Sequence, residues 1–274
     1  MKRFVLLLSL TLSMLQMLHA QSYEQNVRSI VEALAADSLE KAEGMILQTI
    51  QLDPLRASNA ILYQYLGEIY QRRGQNERAL DSYGKGIEQS PTSTDLYLSR
   101  ASLYLQMGNN ERALADYDIV LDTEPNNEEA LFFRAYIYSQ LRRYKAARSD
   151  YDRLLLLNPM HEDARLGLAI LNSKDGRPRE AMEQLDALVQ IFPAHARHYL
   201  ARCGLYERRK EYEKAMENVG RAIELEPENP ECYLTRASLY LAMKKKRLAG
   251  QDCRTAIGLG ASPDQVAPIL QAIR

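Results

Sequence analysis

Tryptophan is missing from this 274-residue chain, and cysteine, histidine and phenylalanine are scarce, at three, four and four copies. The cysteines, Cys203, Cys232 and Cys253, are odd in number and none are spaced as metal ligands. That excludes a disulfide framework and a thiolate metal centre. They read as small buried apolar residues, with one disulfide open to them in an exported protein. An excess of either charge is lacking too, since 35 Lys and Arg meet 36 Asp and Glu. General nucleic-acid binding needs a strong basic surplus and is set aside. No nucleophile motif, phosphate loop or clustered metal ligands are encoded, so neither an enzyme nor a cofactor is expected. His195 and His198 stand three apart and could share a helical face. No further ligand is close in sequence, and the reading is no metal.

Long apolar runs are absent after the first twenty residues. There Lys2 and Arg3 precede an apolar stretch from Phe4 to Leu18, and Ala20 offers a small residue for cleavage. This reads as a secretory signal peptide over 1–20, the run being short for a membrane span. The expected mature start is Gln21, with no cysteine there to carry a lipid. The alternative is an uncleaved anchor, giving a membrane-tethered assembly or secretion factor.

What the chain does have is a ladder. Pro91, Pro125, Pro159, Pro193 and Pro227 are each 34 residues apart. A fixed period of this kind means one supersecondary unit, repeated and stacked. With each proline at position 32, the units are 60–93, 94–127, 128–161, 162–195, 196–229 and 230–263; the last ends on Pro263, out of register. Ala79, Ala113, Ala147, Ala181, Ala215 and Ala249 hold position 20 without exception. Positions 4, 8 and 11 are spaced for one helical face, as are 20, 24 and 27, with Gly74, Gly108 and Gly176 at position 15 between them. Each unit is therefore two antiparallel helices, with the second crossing close against the first at the alanine.

These columns resemble the tetratricopeptide repeat (TPR) family over most of the chain. The resemblance implies an all-α solenoid, a right-handed superhelix whose first helices line a concave groove. A degenerate first repeat is expected over 24–56, with Asp37 and Glu40 as a capping-box-like start to its second helix. A capping helix is expected over 262–274, with Ser262 as N-cap and a kink at Pro268.

Two columns vary together. Position 7 is Arg100, Arg134, Arg202 and Arg236, and position 23 in the same units is Asp116, Asp150, Asn218 and Asp252. Where position 7 is Leu66 or Leu168, position 23 is Ser82 or Gln184. An Arg–carboxylate pair joining the two helices of a unit is expected, since the guanidinium fork matches a carboxylate.

Fourteen of the 17 tyrosines fall at positions 4, 11, 17 and 24 and are assigned to packing. The resemblance places positions 2, 5, 6, 9, 12 and 13 on the concave face. The aromatics left over, Tyr65, Phe132, Phe133 and Tyr136, gather there. With Ser99, Ser102, Gln140 and Ile170, and with Ser139 as a polar neighbour, they form the expected peptide-binding groove. Some members of the family grip a C-terminal carboxylate with Lys, Asn and Arg. Gln64, Glu68, Leu98, Ser102 and Glu129 stand in this chain instead, so that subclass is not expected. Basic turns such as Arg142–Arg143 and Lys244–Arg247 suggest a basic edge for an anionic envelope surface. The function expected is a non-enzymatic scaffold for a protein or peptide, exported, and periplasmic if the source has two membranes. An enzyme or carbohydrate-binding protein is the remaining class.

Overall fold

The computed structural model describes residues 22–273, and among them there are helices and turns and no strand. The expected leader over 1–20 lies outside the described residues. The chain begins with α1 (22–35) and α2 (Leu39–Leu52). Next come α3 (Asn59–Arg72), α4 (Asn76–Gln89), α5 (Thr94–Gln106) and α6 (Asn110–Thr123). Then follow α7 (Glu128–Gln140), α8 (Tyr144–Leu157), α9 (Glu162–Lys174) and α10 (Pro178–Ile191). The remainder is α11 (Ala196–Arg208), α12 (Tyr212–Leu225), α13 (Pro230–Ala242), α14 (Lys246–Gly258) and α15 (Pro263–Ile273). The fold is an all-α helical-repeat solenoid. It divides into two compact units, one ending at Ala130 and one starting at Leu131. No helix among the described residues is long and apolar enough to cross a membrane.

Each 34-residue period holds one helix pair, and the pairs pack internally: α3 with α4, α5 with α6, α9 with α10, α11 with α12, and α13 with α14. The alanines of position 20 are fully buried in every unit, as is Ala42 of α2. A methyl group there lets two helix backbones come close without a void. Tyr83, Tyr117 and Tyr151 at position 24 are fully buried, and Leu185, Val219 and Cys253 take the same place in later units. Missing side chains make room for two of these rings. A Cβ at Gly67 would overlap the Tyr83 ring, and one at Gly167 would stand 2.6 Å from the Tyr151 hydroxyl.

The first helices end in one way throughout. The residue at position 15 is left-handed whatever its type: Gly74, Gly108 and Gly176 at φ 70–75°, but also Arg142 at 57° and Lys210 and Lys244 at 60°. The next amide then bonds the carbonyl of position 11, as Gln75 does to Tyr70 and Lys245 to Tyr240. This closes the helix end and satisfies an orphan carbonyl. Asp37 (φ 52°) is in the same slot. That corrects the capping-box expectation: the N-cap of α2 is Ser38, it makes no side-chain cap bond, and Asp37 belongs to the preceding turn.

In three units the position-34 side chain caps the next first helix. The Asn127 side chain accepts from the Ala130 amide at 3.0 Å, Asn229 from Glu231 at 2.9 Å, and His161 Nδ1 from Ala164 at 3.2 Å. The ladder prolines contribute carbonyls. Tyr199 donates to Pro193 O and Tyr233 to Pro227 O, each from position 4 of the following unit. Arg165, an odd residue at position 4, donates its Nε to Pro159 O at 2.6 Å and keeps the same bond. At the C-terminal end, Val266 of α15 is buried in the cluster built on Ala249, Cys253 and Ala256. Ser262 precedes α15, its amide bonded to Gln265 Oε1 at 2.9 Å, and Pro268 lies inside the helix.

Candidate functional site

Within each unit the Arg and Asp columns meet. Arg100 Nε and an outer guanidinium nitrogen donate to the two oxygens of Asp116, both at 2.8 Å. Arg134 does the same to Asp150 at 2.8 and 2.7 Å, and Arg236 to Asp252 at 2.8 Å twice. The aspartates are buried and the arginines half-buried. The hydrogen bond to the carboxylate, followed by its charge, holds Arg100 and Arg236 above the ordinary guanidinium value despite burial. Arg202 instead divides its donors between Asn218 at 2.7 Å and Asp186 at 2.9 Å. In the 162–195 unit, Gln184 at position 23 turns to Asn172 at position 11 and accepts from its amide at 2.7 Å. Asn172 also accepts from Arg148, which bonds Asp175 at 2.9 Å. The Arg–Asp pairs tie the two helices of a unit together, while Arg202–Asp186 and the Arg148 contacts join neighbouring units; Arg202 also lines a cleft of about 490 Å³ with Tyr199, Asn218 and Arg221.

The residues expected in a groove divide between the two compact units. In the first, Ser99 and Ser102 line a cleft of about 310 Å³ with Gln64, Glu68, Gln71, Tyr83, Asp95, Leu98 and Glu129. Except for Tyr83, all of these stand on first helices or at their starts, α3, α5 and α7. Burial pushes the Glu68 carboxyl above its ordinary value, against the Arg72 charge and a 3.4 Å bond from Gln64. Tyr65 is elsewhere: it packs against the apolar cluster of Leu62, Leu66 and Tyr83. In the second unit, Tyr136 of α7 and Ile170 of α9 share position 9 and are 42% and 37% exposed. Gln140 is exposed and Phe133 half-buried. Phe132 is half-buried, its ring stacked on His161 at 5.7 Å and edge-on to Tyr151 at 6.2 Å. Ser139 is buried. The polar wall of the cleft includes Gln71 and Asp95, which the leftover-aromatic rule had no means of finding.

A second constellation gathers at the starts of α9 and α11. Glu162, the first residue of α9, lies 2.6 Å from His195 Nδ1 and 3.0 Å from His198 Nε2. Arg197 reaches both Glu162 and Asp163. Burial would raise the Glu162 carboxyl, but the Arg197 and His195 hydrogen bonds and charges outweigh it, and the group ends below its ordinary value. Burial holds the His198 imidazole below its ordinary value. The separation of Glu162 from His195 in sequence hid this cluster, although one signal was there. Position 3 is Leu62, Leu96, Ala130, Ala164 and Cys232 in the other units, all buried, and His198 is the polar exception.

The three thiols are free, buried, and set in separate apolar clusters. Burial pushes Cys203 up to about 12 and Cys232 up to about 11, so neither is a ready nucleophile.

Comparison with known proteins agrees with this geometry. Tetratricopeptide-repeat family profiles match residues 98–155 and 140–203. Among solved structures, a tetratricopeptide repeat protein from Parabacteroides merdae is 28% identical, with a TM-score of 0.82 over 92% of this chain and 99% of that one. YrrB, described as a TPR protein with an unusual peptide-binding site, is 22% identical, with a TM-score of 0.56 over 73% and 97% of the two chains. PilF of Pseudomonas aeruginosa is 18% identical, with a TM-score of 0.59 over 78% and 97%. No curated protein matches the sequence. Helix pairs at a 34-residue period, the fully buried position-20 alanines and the matching profiles lead to one conclusion: this chain is a helical-repeat solenoid that carries tetratricopeptide repeats over residues 98–203.

Proposed function

We propose that the protein is a non-enzymatic scaffold that holds a segment of a partner protein against its first helices. The observation that carries this reading is the cleft around Ser99 and Ser102. Apart from Tyr83, it is built from side chains that no packing column requires. Three carboxylates border it, Glu68, Asp95 and Glu129, together with the amides of Gln64 and Gln71. Such a lining suits an extended segment carrying a Lys or Arg, whose charge the acids would meet. YrrB shares the fold and has a peptide-binding site of its own, which supports the same class of ligand. In the second unit, exposed Tyr136 and Ile170 offer apolar contacts to a partner.

The start of the sequence supports export, to the periplasm in a two-membraned cell, and the buried, unreactive thiols suit an oxidising compartment. Exposed basic turns at Arg142–Arg143 and Lys244–Arg247 would favour an anionic envelope surface.

Fluorescence anisotropy with lysine-containing and aspartate-containing peptides tests the cleft. The lysine series should bind at least about tenfold tighter, weaken as salt rises, and lose that preference in Glu68→Gln/Glu129→Gln. Equal binding of both series, unmoved by salt, would contradict the reading.

A further inference from the structure

We infer that Glu162, His195 and His198 form a binding site for a divalent transition-metal ion of the zinc type, clipping two consecutive repeats together. One ligand atom from each lies within 4.8 Å of the others. The set of two imidazoles and a carboxylate is one that zinc and its first-row neighbours favour. Tetrahedral zinc at about 2.0–2.1 Å from its ligands separates them by about 3.3 Å. The present approaches of 2.6 and 3.0 Å need about 0.7 and 0.3 Å of opening to reach that separation.

The second observation is His198 itself. It is 0% exposed in a column that is apolar in every other unit, and its Nε2 has no hydrogen-bond partner. The Glu162 oxygen is 3.0 Å away, but its direction does not make a hydrogen bond. A buried nitrogen left without a partner loses its hydration uncompensated, and a coordinated ion would recover that loss. His195 adds to the argument. Its counterpart His161 caps α9 through Nδ1, whereas His195 makes no cap bond to α11 and directs Nδ1 at Glu162. Phe192 packs on both imidazoles, with ring centroids at 6.0 and 5.8 Å, and covers one side of the site.

Two effects oppose the ion. The first turns of α9 and α11 carry partial positive charge, and Arg197 already neutralises Glu162. Against them stand two carboxylates, Glu162 and Asp163. Arg197 is half in solvent and already touches Asp163, so it can leave Glu162 without losing its own partner. His195 is 49% exposed, which leaves the remaining coordination position facing water.

The test uses the full mature chain without a polyhistidine tag, stripped with chelator. Zn(II) is titrated by calorimetry and Co(II) by its visible absorption, with thermal melts alongside. One ion per chain should bind and raise the melting temperature, and the Co(II) spectrum should lack thiolate charge-transfer bands. His195→Gln, at an exposed position, and the near-isosteric Glu162→Gln should keep the fold by circular dichroism and lose at least about tenfold in affinity. Arg197→Gln should bind tighter than the parent. A folded chain that takes up neither ion would overturn the assignment. So would affinity unchanged in His195→Gln, or a thiolate spectrum pointing to Cys203, Cys232 or Cys253.

Discussion

A charged pair that repeats at the same two positions of three units is readable in one sequence without any relatives. Arg100, Arg134 and Arg236 grip Asp116, Asp150 and Asp252 bidentately, and the spacing of the columns placed them on facing helices. What the columns did not give was the repair made where the pattern fails. Gln184 lost its Arg and took Asn172, and Arg165 lost the Tyr hydroxyl and used its own Nε on Pro159. Both repairs depend on side-chain reach in three dimensions, which a column does not encode. The pair should behave as a buried ion pair. Asp150→Ala leaves Arg134 without its carboxylate and should cost about 3 kcal/mol in urea unfolding. Replacing both partners by Leu should cost much less, because no charge is left uncompensated. Equal losses in the two variants would mean that the contact matters through packing alone.

At the level of helices, the period located every pair, but turn conformation and close contacts were only partly visible. Glycine at position 15 announced a left-handed turn in three units. Arg142, Lys210 and Lys244 adopt it as well, at about 1–2 kcal/mol each for an L-residue, because the stack fixes the direction of the returning helix. The glycines inside helices separate into two kinds. Gly67 faces the Tyr83 ring, while Gly84 of α4 has nothing within 4 Å of an added Cβ. Gly84→Ala should therefore stabilise by about 0.5–1 kcal/mol through helix propensity. Gly67→Ala should destabilise by about 1–2 kcal/mol, because overpacking against a fully buried ring exceeds that gain. Paired thermal melts decide it, and shifts of the same sign would show that the Tyr83 ring moves aside freely.

For the whole molecule, a solenoid is legible because its repeat is its architecture. The binding face is legible only by subtraction, once the packing columns have been removed. Of the residues subtraction left over, Ser99 and Ser102 line the cleft, and Tyr136 and Ile170 are exposed. It also selected Phe132 and Tyr65, which are half-buried against apolar and aromatic neighbours. The acidic wall of Glu68, Asp95 and Glu129 needed the structure, since three helices contribute to it.

Site-specific photocrosslinking in the source cell tests the central claim most directly. A photoreactive residue is placed either at Ser102, in the cleft, or at Asp122, exposed on the second helix of the same repeat. The account predicts a discrete partner adduct from Ser102, competed by a lysine-containing peptide, and none from Asp122. Adducts from Asp122 alone, or equal labelling at both positions, would contradict a partner held against the first helices.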